Sequence, residues 1–272
     1  MSKRIWNRIK REGFINEIRR LRVKSLFLKK DVYNFLGLNH SKYVKSFYDP
    51  LMFENWKDVT FRFCIRGSYG TIFSDYLKNY TKPFCFIDIG ANQGLYSLIA
   101  GKNENCLKVF AFEPVPTTAV ILTKNIAVNN LDGKSEVHAK AISGNNARHK
   151  IYINLEHSGA TSIDQVTSES QSSQAVDIET VNSSYLDELT IPKDVDIVIK
   201  VDVEGYEKVV IEQLMQVDFL YNIKTIYYEY DENIQNDMNV IGKLLKQNNF
   251  SKFLEVKDEE VKNLFNMLSE RG

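Results

Sequence analysis

The stretch that most constrains this chain is Phe84-Cys-Phe-Ile-Asp-Ile-Gly-Ala-Asn-Gln-Gly-Leu-Tyr-Ser97. Phe84, Cys85, Phe86 and Ile87 run into Asp88, Gly90 and Gly94 follow, and Leu95, Leu98 and Ile99 then recur at helical spacing. An apolar run, a glycine-bearing turn and a helical repeat predict a buried strand, a tight turn and a helix, the first half of a βαβ unit. Gly90 permits the sharp reversal and Gly94 lets the helix begin close to the strand. The turn therefore presents backbone N–H groups to a ligand.

The same alternation continues downstream. Residues 107–112 predict a second strand ending at Glu113, and Pro116 opens a helix that the Asn129, Asn130 and Gly133 cluster closes. Residues 136–142 read as a third strand. A polar excursion follows, with alternating residues at 150–155 and a Ser/Gln/Glu-rich loop reaching 174, of the kind that serves as a lid or binding loop. Residues 176–181 resume as a strand. Residues 195–202 are almost continuously apolar, as in a buried parallel strand, and 209–214 predict a helix. A strand over 223–228 ends at Glu229; a helix over 234–247 and a strand over 250–256 come next. Val261, Leu264, Phe265 and Leu268 predict a last helix.

Residues 1–78 read as a basic, aromatic-rich helical N-terminal segment and 79–272 as the α/β domain. Formal net charge is zero, but residues 1–30 hold eleven Lys or Arg and two Glu, so +9 there is balanced by −9 elsewhere. Apolar Ile5, Trp6, Ile9, Phe14, Ile15, Ile18, Leu21 and Val23 thread through those charges. This suits an amphipathic helix, either lying on an anionic membrane or packing on protein, and no run is long enough to span a bilayer. Zero net charge gives no pull toward nucleic acid. Cys64, Cys85 and Cys106 are odd in number and match no metal or disulfide spacing, which points to a reducing, cytoplasmic compartment. The four histidines show no ligand spacing, and His157 alone lies near the polar loop.

In an open α/β sheet the ligand site lies beyond the carboxyl ends of the strands, at the topological switch point. The residues expected there are Asp88 and Gly90, Glu113, Asp202 and Glu204, and Glu229. A dinucleotide needs glycine where this turn has Asn92 and Leu95, and Asp88 would repel its phosphate. S-adenosylmethionine suits the acidic edge better: it carries an ammonium and a sulfonium, and Glu113, 23 residues after Gly90, stands at ribose-binding distance in sequence.

The turn segment, together with Phe112-Glu-Pro114, Asn125-Ile126, Gly159-Ala-Thr-Ser162 and above all Ile199-Lys-Val-Asp-Val-Glu-Gly-Tyr-Glu207, resembles the FkbM family of S-adenosylmethionine-dependent methyltransferases. The resemblance runs from about residue 84 to 230. It implies a Rossmann-like class I methyltransferase fold, a mostly parallel sheet with helices on both faces, acting on hydroxyl oxygens of sugars, glycans or secondary metabolites. It also implies that Asp88, Gly90, Ala91, Asn92 and Gly94 meet the methionine end of the cofactor and Glu113 its ribose. The predicted C-terminal helix departs from the antiparallel strand pair that ends such sheets.

A sugar hydroxyl needs a general base within hydrogen-bond reach. Asp202 and Glu204 are the candidates, with Glu229 beside them and Lys200 placed to orient Asp202. The same three carboxylates could instead hold a divalent cation such as Mg²⁺. Methylation of nucleic acid is a competing reading, disfavoured by the absence of an Asn/Asp-Pro-Pro-aromatic motif. A non-catalytic module docking through its basic helix on a membrane or glycan-assembly complex is another.

Overall fold

Residues 84–89 alternate in the direction they face. In the computed structural model Phe84 and Phe86 join one hydrophobic cluster while Cys85, Ile87 and Ile89 join another. All six are buried, as expected of a strand covered on both faces. The structure describes residues 21–26, 28–29, 31–33, 35–36, 41–154, 173–231, 235–257 and 264–271.

This strand, β3 (Phe84–Ile89), is central in a seven-stranded sheet with β4 (Cys106–Phe112), β5 (Ser135–His138), β9 (Asp196–Val201), β10 (Ile223–Asp231), β11 (Phe250–Lys257) and β12 (Leu264–Arg271). The order is β11-β12-β10-β9-β3-β4-β5. Strands β5, β4, β3, β9 and β10 pair in parallel, and β12 runs antiparallel to both β10 and β11. The chain order reverses between β3 and β9, which makes their carboxyl ends the switch point.

Helices cover both faces. Against one face lie α6 (Glu207–Leu214), through Val210, Ile211 and Leu214, and α7 (Gln235–Gln247), through Ile241 and Leu245. Against the other lie α1 (Val59–Arg66), α2 (Ile72–Lys78), α3 (Leu95–Lys102) and α4 (Pro116–Val128), with Phe61, Phe73, Leu98 and Leu122 among their core residues. The short helix α5 (Ser183–Asp187) buries Leu186. Strands β6 (Lys140–Ile142), β7 (Ala147–Asn154) and β8 (Ser173–Val181) form a separate sheet in the order β6-β8-β7.

The structure departs from the sequence reading in three places. Residues 136–142 form two strands in two sheets: β5 pairs with β4, and β6 pairs with β8. The final predicted helix is the strand β12, so the antiparallel pair expected of a class I methyltransferase sheet is present. Met267 packs on one face of the sheet and Leu268 on the other, a strand alternation that helical spacing of 264, 265 and 268 concealed. The aromatic N-terminal segment contains, besides helices, a hairpin of β1 (Tyr43–Lys45) and β2 (Leu51–Phe53). Such short strands leave no readable period. Asn129, the C-cap of α4, secures the hairpin by accepting from Leu51 N–H at 3.0 Å and donating to Leu51 C=O at 2.7 Å. The polar loop at 155–172, with His157 and the Gly159 turn, lies outside the described residues, as do residues 1–20.

Candidate active site

The glycine turn is shaped by left-handed backbone at Gly90 (φ +76°), Asn92 (φ +49°) and Gly94 (φ +88°). A Cβ on Gly90 would lie 1.9 Å from the backbone oxygen of Asp202, so this position requires glycine for space as well as for φ. The two strand ends are thereby in backbone contact, reinforced by Asp202 N–H donating to Ile89 C=O at 3.1 Å.

Asp88, 1% exposed, sits beneath the turn. Its Oδ2 accepts from Ser97 N–H at 3.0 Å and from Ser97 Oγ at 2.6 Å. Burial raises its carboxyl above the ordinary range, against the pull of Lys200 and Ser97. Glu113, also buried, accepts from Asn92 N–H and Val115 N–H at 2.9 Å each. Burial pushes it up to about 7, with those two donors opposing. Ala91 is buried and its N–H donates to Phe112 C=O at 2.9 Å.

Lys200 joins the two halves. Its Nζ donates to Gly90 C=O at 2.7 Å and lies 3.1 Å from Asp202 Oδ2 and 3.6 Å from Asp88 Oδ1. Burial pulls its pKa down, but the Asp202 and Asp88 carboxylates more than offset that and hold the ammonium above its usual range. It is 4% exposed and points into the site, not outward past a helix.

Asp202, Glu204 and Glu229 converge: their carboxyl oxygens lie within 4.8 Å of one another. Glu204 adopts φ +55°, a backbone position rarely held by a residue with a side chain and often retained at functional sites. Glu229 is raised well above the usual carboxyl range, first by desolvation and then by the Asp202 and Glu204 charges and its hydrogen bond to Asp202. Glu204, although at the surface of the edge, is raised by the same crowding, with desolvation first and Asp202 next.

The structure thus brings every site residue expected from sequence to one sheet edge, in two groups linked by Lys200. Sequence reasoning passed over several supporting residues. Glu207 Oε1 accepts from Val203 N–H at 3.0 Å and Gly205 N–H at 3.2 Å, shaping the loop that carries Glu204. Ser97 fixes Asp88. Asp58, the N-cap of α1, accepts from Gln93 Nε2 at 3.1 Å, and Asn125 donates to Gln93 C=O at 2.8 Å. Ser97, Asn125 and Glu207 fall within the segments that carry the family resemblance, which was the sequence signal available for them. On the α1–α2 side, Phe73 stacks on Tyr227 at 4.0 Å and lies 5.1 Å from Tyr96. Lys200 Nζ lies 6.0 Å from the Tyr96 ring centroid, which puts aromatic surface beside the site.

A mostly parallel sheet with the antiparallel β12 and an acidic edge at its switch point fits a Rossmann-like methyltransferase. Its donor set fits S-adenosylmethionine: clustered carboxylates suit a cationic ligand, and Glu113 is a buried acceptor for a diol. A sequence profile of the methyltransferase FkbM domain matches residues 88–271, and the chain belongs to that family of S-adenosylmethionine-dependent methyltransferases. No match was found among curated proteins. Among solved structures, the chain is similar to a methyltransferase FkbM from Methylobacillus flagellatus (15% identity, TM-score 0.48), with 74% of this chain and 47% of that one covered. It is also similar to a precorrin-6y C5,15-methyltransferase from Geobacter metallireducens (12% identity, TM-score 0.42, 74% and 86% covered). A third is M. capricolum TrmK in complex with S-adenosyl-homocysteine (9% identity, TM-score 0.44, 75% and 69% covered). The chain spans about half the length of the M. flagellatus protein. Among the described residues, no helix is long and apolar enough to cross a membrane.

Proposed function

We propose that this chain methylates a hydroxyl oxygen of a sugar, glycan or related secondary metabolite. The observation that carries the proposal is the convergence of Asp202, Glu204 and Glu229 beside the glycine turn, a base cluster where an acceptor hydroxyl would stand. When bound, the cofactor supplies a methyl group on a positively charged sulfur. The Gly90–Gly94 turn and the acidic edge would meet its methionine end, and Glu113 would accept from its ribose hydroxyls. Asp88 holds the turn and Lys200 holds Asp202 in place. Asp202 takes the acceptor's proton on a carboxylate oxygen as that hydroxyl oxygen gains the methyl group. Glu229 stands beside Asp202, its carboxyl raised by burial and by the Asp202 and Glu204 charges. Positioning supplies much of the remaining rate.

The acceptor class is small molecule or glycan, not nucleic acid, a reading supported by the zero net charge. The three cysteines are free and buried, which supports a cytoplasmic setting. The direct test is S-adenosyl-homocysteine release by the purified chain with a panel of hydroxylated acceptors, beside calorimetry of the cofactor. Tight NAD binding with none for S-adenosylmethionine would overturn the cofactor assignment. Asp202→Asn is expected to lower turnover by about 10²–10⁴-fold while cofactor affinity persists; near-normal turnover would remove Asp202 as the base.

A second reading rests on the crowding itself. A divalent cation such as Mg²⁺ among the three carboxylates would relieve the repulsion that adds to burial in raising Glu204 and Glu229 and would polarise the acceptor hydroxyl. Activity abolished by EDTA and restored by Mg²⁺ favours this reading; indifference to both favours the base.

A further inference from the structure

The described helical residues 21–26, 28–29, 31–33 and 35 present two unlike faces. One is committed to the protein. Arg22 donates to Lys45 C=O and Ser46 C=O at 2.9 Å each, anchoring the helix to the hairpin. Val23 and Leu26 pack against the core cluster that holds α1 and α2. The other face carries Leu21, Leu28, Val32 and Phe35, with Leu36 just beyond, and their exposure runs from 46% at Val32 to 89% at Phe35. Steps of seven, four and three residues keep the first four on a single stripe of an α-helix. Exposed Lys24 and Lys29 fall on its two borders. Elsewhere in the described residues the exposed large apolar side chains, such as Ile72, Leu107 and Tyr221, are scattered over separate elements. Scattered exposure is ordinary; a stripe of this kind marks an interaction surface.

We propose that this face docks on an anionic lipid surface, with the apolar stripe inserted at the headgroup boundary and Lys24 and Lys29 reaching back to the lipid phosphates. Charge selects the occupant. Residues 1–30 carry +9 and the rest of the chain −9, so the attraction to negative lipid is concentrated at this end. A second copy laid on the same face would bring +9 against +9. An apolar face bordered by lysines, on a helix fastened by its opposite side, has the form of an interfacial anchor.

The test is co-sedimentation of the full chain with vesicles of phosphatidylcholine alone and of phosphatidylcholine mixed with phosphatidylglycerol. Binding is expected to the mixed vesicles, to weaken at high salt, and to be much weaker on the neutral ones. The double variants Leu28→Ser/Phe35→Ser and Lys24→Glu/Lys29→Glu should each lower partitioning by about tenfold or more while unfolding at the wild-type temperature. Four results would overturn the proposal. The wild-type chain could stay in the supernatant with anionic vesicles, or bind neutral vesicles equally. Both variants could bind as wild type. The lipid-free protein could be a dimer that Leu28→Ser/Phe35→Ser dissociates, which would assign the face to a second copy.

Discussion

The two halves of the site are both acidic and burial raises the carboxyl groups in both, but their neighbours act in opposite directions. At the glycine turn hydrogen bonds oppose burial: Asp88 Oδ2 accepts two bonds from Ser97, and Glu113 accepts one each from Asn92 and Val115. At the end of β9, Asp202, Glu204 and Glu229 crowd within 4.8 Å, with Lys200 on one of them. In the first half only Asp88 Oδ1 is left without a hydrogen bond, with Lys200 Nζ 3.6 Å away. The second retains repulsion that a proton, a cation or a cationic ligand can relieve. Like charges held together in a cleft are a recurring mark of acid–base sites. The contrast teaches that binding geometry and chemical reactivity are separated along the sheet edge, and that Lys200 is the group both halves share.

Removing that shared group should break the contrast most severely. Lys200→Met leaves Asp88 buried without its cation and is expected to cost about 3–5 kcal/mol in urea unfolding, with cofactor binding lost as well. A loss below about 1 kcal/mol would mean that Asp88 is satisfied by Ser97 alone. Next in size is Gly90→Ala. The positive φ and the Asp202 oxygen in the way of a Cβ together should cost about 3 kcal/mol, and the displaced strand end should weaken cofactor binding by calorimetry. Wild-type stability in that variant would show that the two strand ends separate freely.

The smallest effect has the opposite sign. The Glu229 carboxyl is raised in the folded chain above its ordinary 4.5, so the folded state binds this proton more tightly than the unfolded state does. The stability it contributes is complete in acid and is lost as pH climbs from about 4.5 toward the raised value. Glu229→Gln removes that dependence. It should therefore stabilise the protein by about 1 kcal/mol at pH 8, and scarcely at pH 4, while lowering turnover. Thermal melts at the two pH values measure this. Equal effects at both would show that repulsion does not govern the β9 half.

Much of this architecture was legible from the chain alone, for local reasons. A buried parallel strand announces itself as an apolar run, as at 84–89 and 196–201. Glycine at 90 and 94 marks left-handed backbone, and acids directly after strands name the sheet edge. The same local logic misread residues 264–271. Three apolar positions at helical spacing suited a helix, but β10 and β11 offered backbone partners on both sides and the segment became a strand between them. Residues 136–142 misled for a related reason, since one alternating stretch served two sheets.

By itself, then, the sequence determined the βα alternation, the acidic edge and the charge segregation of the N-terminus, because each is written in the period or sign of neighbouring residues. Only the tertiary structure decided that Asp202 C=O occupies the space beside Gly90, that Ser97 holds Asp88, that Glu207 shapes the loop of Glu204, and that the helix after Leu21 turns its apolar stripe outward. Those outcomes depend on which distant surfaces meet. Lys200 and Gly90, 110 residues apart, share a hydrogen bond because two strands pair side by side, a proximity that no local pattern encodes.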